Sequence, residues 1–264
     1  MASATIVTAF FDIGREQNGD GRSIKEYLEW IKKTLELNCQ LYVVTEEKFK
    51  DFFLQNRPSE YKMHLKIIDF KESYFYKYYN QMKNILDSQE YKNKIAYPNR
   101  VECKIPEYNI IQYSKFHYLQ MAIEENPYQS DSFFWMDAGA SRFFYDIDLK
   151  KTYPSNYGLD IIKHNENKFL IQNRQDILYY NLNNDFIWKA DNLLIGGMFG
   201  GNIKILNTIF EKIENIVVEK MLKQNNINNE QLALALVWNE NKDLFCLINN
   251  KSANPLIILK VLSL

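Results

Sequence analysis

Short apolar runs alternate with segments of helical period in the first part of the chain. Thr5 to Phe11 is apolar and β-branched, which predicts a strand, and the polar, glycine-containing residues through Gly21 predict a loop. Ser23-Ile24-Lys25-Glu26 is a capping box. It opens a helix whose apolar stripe is Ile24, Tyr27, Leu28, Ile31 and Leu35. Gln40 to Thr45 predicts a second buried strand, Glu46 to Gln55 a helix stopped by Pro58, and His64 to Ile68 a third strand. Three such alternations imply a largely parallel sheet with crossover helices.

Further along, Lys71 to Asn84 is helical in period and dense in tyrosine, and Asp87 to Lys104 reads as irregular, punctuated by Pro98 and Pro106. Ile111 to Glu125 predicts an amphipathic helix ended by Asn126-Pro127. Ser132 to Asp137 predicts a strand, and a segment rich in Asn, Tyr and Asp follows. Phe186 to Ile195 predicts another strand, closing on Gly196-Gly197. Asn202 to Lys223 and Asn229 to Trp238 predict helices, and Asp243 to Ile248 a last strand. There are no repeats and no linker, so residues 1–264 are expected to form one domain of α/β class, a mostly parallel sheet flanked by helices.

Composition narrows the function classes. Lys+Arg 32 against Asp+Glu 33 lacks the basic footprint of a nucleic-acid binder, so none is expected as a partner. Cys39, Cys103 and Cys246 are far apart and without metal spacing, which reads as reduced thiols and a cytoplasmic location. Met1 to Phe11 has no basic n-region, and no run approaches the ~20 apolar residues of a membrane span. The apolar tail Asn254 to Leu264 is expected to dock on the domain, with a peripheral contact at the inner face of the membrane as the other possibility. The 18 Tyr, 17 Phe and 4 Trp suit sugar or protein recognition, although compositional bias accounts for them equally simply.

Five constellations carry candidate chemistry. In Phe133-Phe134-Trp135-Met136-Asp137-Ala138-Gly139, an apolar strand runs into an acid, a small residue and a glycine. A carboxylate there is costly unless paired, and ligands of open α/β sheets bind at the carboxyl ends of strands. Asp137 would suit a metal-bound diphosphate, Gly139 a close backbone approach, and Arg142 a phosphate or a sugar hydroxyl. The plain alternative is a strand ending in a turn, with Gly139 supplying positive φ. The exit of the first strand, Thr8-Ala9-Phe10-Phe11-Asp12-Ile13-Gly14-Arg15, is where a mononucleotide sits in such folds, with Arg15 meeting a phosphate. Lys115 and, more weakly, His117 lie on the helix before the Asp137 strand. Gly196-Gly197-Met198-Phe199-Gly200-Gly201 reads either as backbone close to a ligand or as paired tight turns between strand and helix. Glu230 and Gln231 open a helix, where an acid is stabilised by the helix dipole or acts as a base.

Taken in order, these pieces resemble one family. TIVTAFFDIGR, PEYNIIQYSKFHYL and FFWMDAGASRF are similar to the HtrL/YibB family of bacterial proteins, associated with surface polysaccharide loci, over about residues 5 to 240. That resemblance implies a GT-A-like (Rossmann-like) glycosyltransferase, in which an Asp-x-Asp motif holds Mn²⁺ or Mg²⁺ against a nucleotide-sugar diphosphate. Asp137 matches the first acid and is the one metal ligand implied; Gly139 replaces the second, and Lys115 and Arg142 are the substitute charges. The glycine block is similar to the GG-x-F-G-G stretch of the blood-group glycosyltransferases, which implies a retaining reaction with Glu230 at the anomeric centre and Gln231 on the sugar. The same resemblance puts Thr8, Phe10, Asp12 and Arg15 on the nucleotide, expected to be UDP, and Gly196, Gly197, Phe199 and Gly200 around the sugar. A glycan or lipid-linked glycan is the implied acceptor, with Tyr74, Tyr76, Tyr78 and Tyr79 as a candidate platform. The rival readings are a non-catalytic carbohydrate- or nucleotide-binding module and a sugar nucleotidyltransferase.

Overall fold

The computed structural model describes residues 3–249 and 254–264; Met1 and Ala2 of the N-terminal run, and residues 250–253, lie outside the described residues. The three early strands form as the apolar runs predict. They are β1 (Ala4–Phe10), β2 (Asn38–Thr45) and β3 (Met63–Ile67), paired in parallel with β1 also parallel to β4 (Ser132–Met136). A two-residue β5 (Thr152–Tyr153) pairs the start of β2, ahead of the point where β3 joins it.

Beyond β4 the sheet departs from expectation. β7 (Leu194–Asn202) lies antiparallel between β4 and β6 (Phe169–Asn173), and β8 (Phe245–Asn249) closes the far edge parallel to β6. The order is β3-β2-β1-β4-β7-β6-β8, a mixed sheet in which the expected parallel pairing holds except where β7 runs antiparallel to both β4 and β6. The glycine doublets, read as backbone close to a ligand or as paired tight turns, are part of β7 itself, and Phe186 falls instead in a 3₁₀ turn over Asn184–Trp188. Glycine is a poor strand former but is needed where another chain segment closes in. A Cβ on Gly200 would lie 2.4 Å from the Phe133 carbonyl oxygen and 2.4 Å from the Phe134 ring.

Helices cover both faces: α1 (Arg15–Asn18), α2 (Ile24–Thr34), α3 (Lys50–Asn56), α4 (Tyr79–Asp87), α5 (Gln89–Lys94), α6 (Pro106–Glu125), α7 (Asn156–His164), α8 (Ile203–Asn215), α9 (Glu230–Glu240) and α10 (Ile257–Val261). Side chains alternate across each strand. Val7, Phe133, Trp135 and Phe199 therefore pack beneath α6, α8 and α9, while Ile6, Phe134, Met136 and Met198 face α2, α3, α7 and α10. The Ser23 capping box of α2 forms as read. Pro106 is the first residue of α6 rather than a stop before it, because a proline at that position loses no hydrogen bond. The tyrosine-dense stretch forms 3₁₀ turns before α4, and the segment after Asp87 carries α5. The tail docks, burying Leu256, Ile258, Leu259 and Leu262, and Gln172 clamps it by donating to the Asn254 carbonyl at 2.7 Å. Among the described residues no helix is long and apolar enough to cross a membrane.

Packing at β7 gives a direct check. Gly200→Ala should destabilise the protein by about 2–3 kcal/mol through overpacking against β4, read as a lower denaturation midpoint in urea. A change within about 0.5 kcal/mol, the range of a neutral surface substitution, would contradict the close approach of the two strands.

Candidate functional site

Strands β2 and β3 succeed one another to one side of β1, and β4 lies on its other side, so the strand order reverses between β1 and β4. Ligands of open α/β sheets bind at the carboxyl ends of the strands beside such a point. A cleft opens there, walled by the residues after β1, by those after β4 and by one face of α6. Its interior volume is about 120 Å³ and continues into open solvent. Phe10, Asp12, Arg15, Asp137, Gly139 and Arg142 all line it.

The cleft floor rests on a buried ion cluster. Lys115, 1% exposed, projects from α6. Its Nζ lies 2.7 Å from Glu230 Oε1, 2.9 Å from Asp137 Oδ1 and 3.0 Å from the Gly196 carbonyl oxygen. Burial opposes the ammonium charge, but Asp137 and Glu230 outweigh it and hold the Lys115 pKa above the ordinary lysine value. Trp135 Nε1 donates a second hydrogen bond to Asp137 Oδ1 at 2.8 Å. One carboxylate oxygen is thus doubly held, while the Asp137 side chain stays 40% exposed at the cleft.

Each partner is placed by a different element. Asp137 follows β4, and its backbone N–H donates to the Gly197 carbonyl at 2.9 Å, extending the β4–β7 ladder by one rung. The β6–β7 register jumps there, from Ile171 opposite Phe199 to Gln172 opposite Ile195, so Gly196 to Met198 bulge out of the pairing. Bulges re-aim backbone groups beside sites, and this one turns the Gly196 carbonyl toward Lys115. Gly196 is obligatory, since a Cβ would stand 1.9 Å from Glu230 Oε1. Glu230 begins α9 and is held by the loop before it. Tyr113 donates its hydroxyl to the Asn228 carbonyl, Asn228 Nδ2 donates to Ile187 and Lys189 carbonyls at 2.8 Å, and Asn229 caps the helix through Gln231 N–H at 3.0 Å.

The cations at the mouth divide in two. Arg15 is already engaged, giving Asp20 two hydrogen bonds at 2.6 and 2.9 Å and stacking over Tyr108 at 4.9 Å. Arg142 packs over Phe143 and Trp30 at 4.7 and 5.1 Å and has no carboxylate partner among the described residues. Its Nε is buried without a hydrogen-bond partner, and burial, with Arg22 nearby, lowers its pKa. An arginine stays charged despite such a shift, so Arg142 is a half-buried cation beside the cleft with no carboxylate partner among the described residues. Gly139 keeps a negative φ of −87° rather than the positive one expected; its bare Cα instead makes room for Trp30 and Tyr27, 3.1 and 3.3 Å from a Cβ there.

Other expected site residues lie elsewhere. Thr8 is buried within β1 with an unpartnered hydroxyl, off the cleft wall. Phe199 is stacked 4.9 Å from Phe116 in the core, and Gly200 lies under Phe134. Gly197 sits behind Asp137 Oδ2, 3.7 Å from where its Cβ would be. Glu230 is 2% exposed and serves Lys115 rather than the cleft, and Gln231 follows it off the cleft wall with its Oε1 unpartnered. His117 packs on Tyr74, where burial first and Lys77 second lower its pKa to about 4. Tyr74, Tyr76, Tyr78 and Tyr79 pack on the core side away from the cleft. With Lys115 in place the residues do not fit a resident divalent ion: its ammonium already fills the gap between the two carboxylates, and Gly139 stands where a second acid would be needed. Among the described residues no group of three His, Cys, Asp or Glu side chains converges.

The profile of a family described as a bacterial protein of unknown function (HtrL_YibB) matches residues 2–255. The chain belongs to the HtrL/YibB family. No curated protein matches it. For this HtrL/YibB chain, the cleft residues that sequence reasoning missed are Tyr108 and Gln112 of α6, with Trp135, Tyr27 and Arg22. Tyr108, Gln112 and Lys115 stand at i, i+4 and i+7, so a polar stripe on an otherwise buried helix was the available signal.

Lys115→Met should cost about 3–5 kcal/mol, because it strands the buried Glu230 carboxylate. Burial already raises the Glu230 pKa, opposed by Lys115. Without the ammonium the folded state keeps that proton to higher pH than the unfolded chain does, so stability falls as pH rises through that window. The deficit of the variant against the wild type should therefore be smaller at pH 5 than at pH 8 in paired denaturation curves. An equal deficit at both would show that Glu230 is not the stranded group.

Proposed function

We propose that this protein is a glycosyltransferase with a GT-A-like fold, moving a sugar from a nucleotide donor, with uridine diphosphate as the leaving group, to a hydroxyl of a glycan or lipid-linked glycan. The observation that carries the reading is the pairing, in one cleft at the strand-order switch, of a pinned carboxylate with a half-buried arginine that has no carboxylate partner among the described residues. Aromatic walls from Phe10, Tyr27, Tyr108 and Trp135 suit a nucleoside and a sugar ring, each of which offers flat or apolar faces.

The roles follow from charge. One ammonium faces two carboxylates in the Lys115 cluster, so the Asp137 end repels a phosphate and attracts a hydroxyl. The diphosphate falls to Arg142, which can offer two parallel donors. The sugar–oxygen bond to the diphosphate breaks, the acceptor hydroxyl oxygen bonds to the anomeric carbon, and its proton passes to the open oxygen of Asp137. Arg142 stabilises the charge gathering on the leaving diphosphate. Lys115 and Glu230 are positioning residues in this scheme, acting through Asp137.

Incubation with a panel of nucleotide sugars should release nucleoside diphosphate from at least one. Asp137→Asn, which keeps shape and removes charge, should lower kcat at least 100-fold while changing uridine diphosphate affinity less than fivefold. Arg142→Gln should weaken that affinity about tenfold or more. Saturable nucleotide binding without turnover on any donor would favour the non-catalytic module, and pyrophosphate exchange would favour a nucleotidyltransferase.

A further inference from the structure

Three oxygens of different origin converge on one buried point. The Asp137 carboxylate, the Glu230 carboxylate and the Gly196 carbonyl stand 2.7 to 3.0 Å from Lys115 Nζ. Two carboxylates and a carbonyl are the donor set of a hard divalent cation, which draws oxygens to about 2.3–2.6 Å in the case of Ca²⁺. The point is not a random salt bridge. A strand end, a bulge and a helix start each supply one oxygen, and the absence of a side chain at Gly196 is what lets Glu230 reach the point.

We propose that Lys115 is a resident cation that replaces a divalent ion at this point: the wild-type protein takes up no divalent ion there, and removing the lysine side chain uncovers a hard-cation site. Contraction of the three oxygens by a few tenths of an ångström, with water filling the vacated channel of the lysine stem, would complete the shell. The consequence for turnover rests on the transferase reading; the consequence for ion binding does not. The Lys115 ammonium supplies its own positive charge and needs no ion from solution, so Asp137 is oriented whether or not metal is present.

The test is a titration with Mn²⁺, followed by the electron paramagnetic resonance signal of the free ion, with Ca²⁺ competition. Wild-type protein should show no saturable site below millimolar concentration. Lys115→Ala should bind one ion at least tenfold more tightly than wild type, with Ca²⁺ displacing Mn²⁺, and Asp137→Asn added to Lys115→Ala should abolish the gain. One equivalent bound to the wild type at micromolar concentration, and lost in Asp137→Asn, would overturn the proposal. So would a folded Lys115→Ala protein that gains no ion. Where Lys115→Ala does not fold in chelator, its refolding on addition of Ca²⁺ reports the same site, and the wild-type titration decides on its own if refolding fails. Uridine diphosphate binding, measured in parallel by calorimetry in chelator and in Mg²⁺, should agree within twofold. A tenfold gain with Mg²⁺ would count against ion independence, while no binding in either buffer would remove the transferase reading and leave the ion titration intact.

Discussion

An ammonium buried between two carboxylates is the constraint around which this protein is organised. Lys115 is 1% exposed, and a charge so placed is tolerable only with its partners at contact distance. Those partners come from β4, β7 and α9, which are far apart along the chain. Fixing them to one point also fixes the end of β4, and with it the floor of the cleft. The polar loop before α9, tied down by Tyr113, Asn228 and Asn229, exists to deliver Glu230 to that point.

The unusual strand follows from the same demand. β7 enters antiparallel beside β4, and its Gly196 to Met198 bulge is what lets one backbone carbonyl face the lysine while the next accepts the Asp137 N–H. A side chain at position 196 would collide with Glu230, and one at position 200 with β4. The glycines serve two ends of the strand for different reasons: one makes room for the ion cluster, the other for a close strand pairing. Neither use requires the left-handed backbone that glycine often supplies, and among the described residues the glycines with positive φ are Gly14 and Gly21.

What could be read from the amino-acid order was local. Apolar runs of β-branched and aromatic residues gave β1, β2 and β4 nearly to the residue, because a strand buried on both faces needs little else, and the half-buried edge strand β3 was read one residue out of place. The acid after β4 was legible as a site for the same reason: nothing in a turn requires five core-forming residues to end on a carboxylate. The glycine strand was illegible because its glycines are justified only by neighbours distant in sequence. β6 was missed because three apolar residues, Phe169 to Ile171, lie within a polar stretch and acquire strand character from β7 and β8. Glu230 was found as a residue but not as a buried one. The first turn of a helix is ordinarily exposed, and packing of α9 against β7 and α6 buries it here.

Charge balance decides how the cleft can be used. If Glu230 is ionised, the cluster carries a net negative charge; if burial protonates it, the cluster is neutral. In neither state does it attract a diphosphate, so the proposed transfer assigns that attraction to the other side of the cleft, where half-buried Arg142 packs against Trp30 and Phe143. In the proposed reaction Asp137 is the proton-accepting end and Arg142 the anion-holding end, a separation suited to group transfer from a phosphate ester because the leaving group and the incoming hydroxyl need opposite kinds of partner. A cleft with only the arginine would bind the leaving group equally well before and after reaction. The pinned acid gives the incoming group a partner at the other end, and Lys115 holds that acid in place.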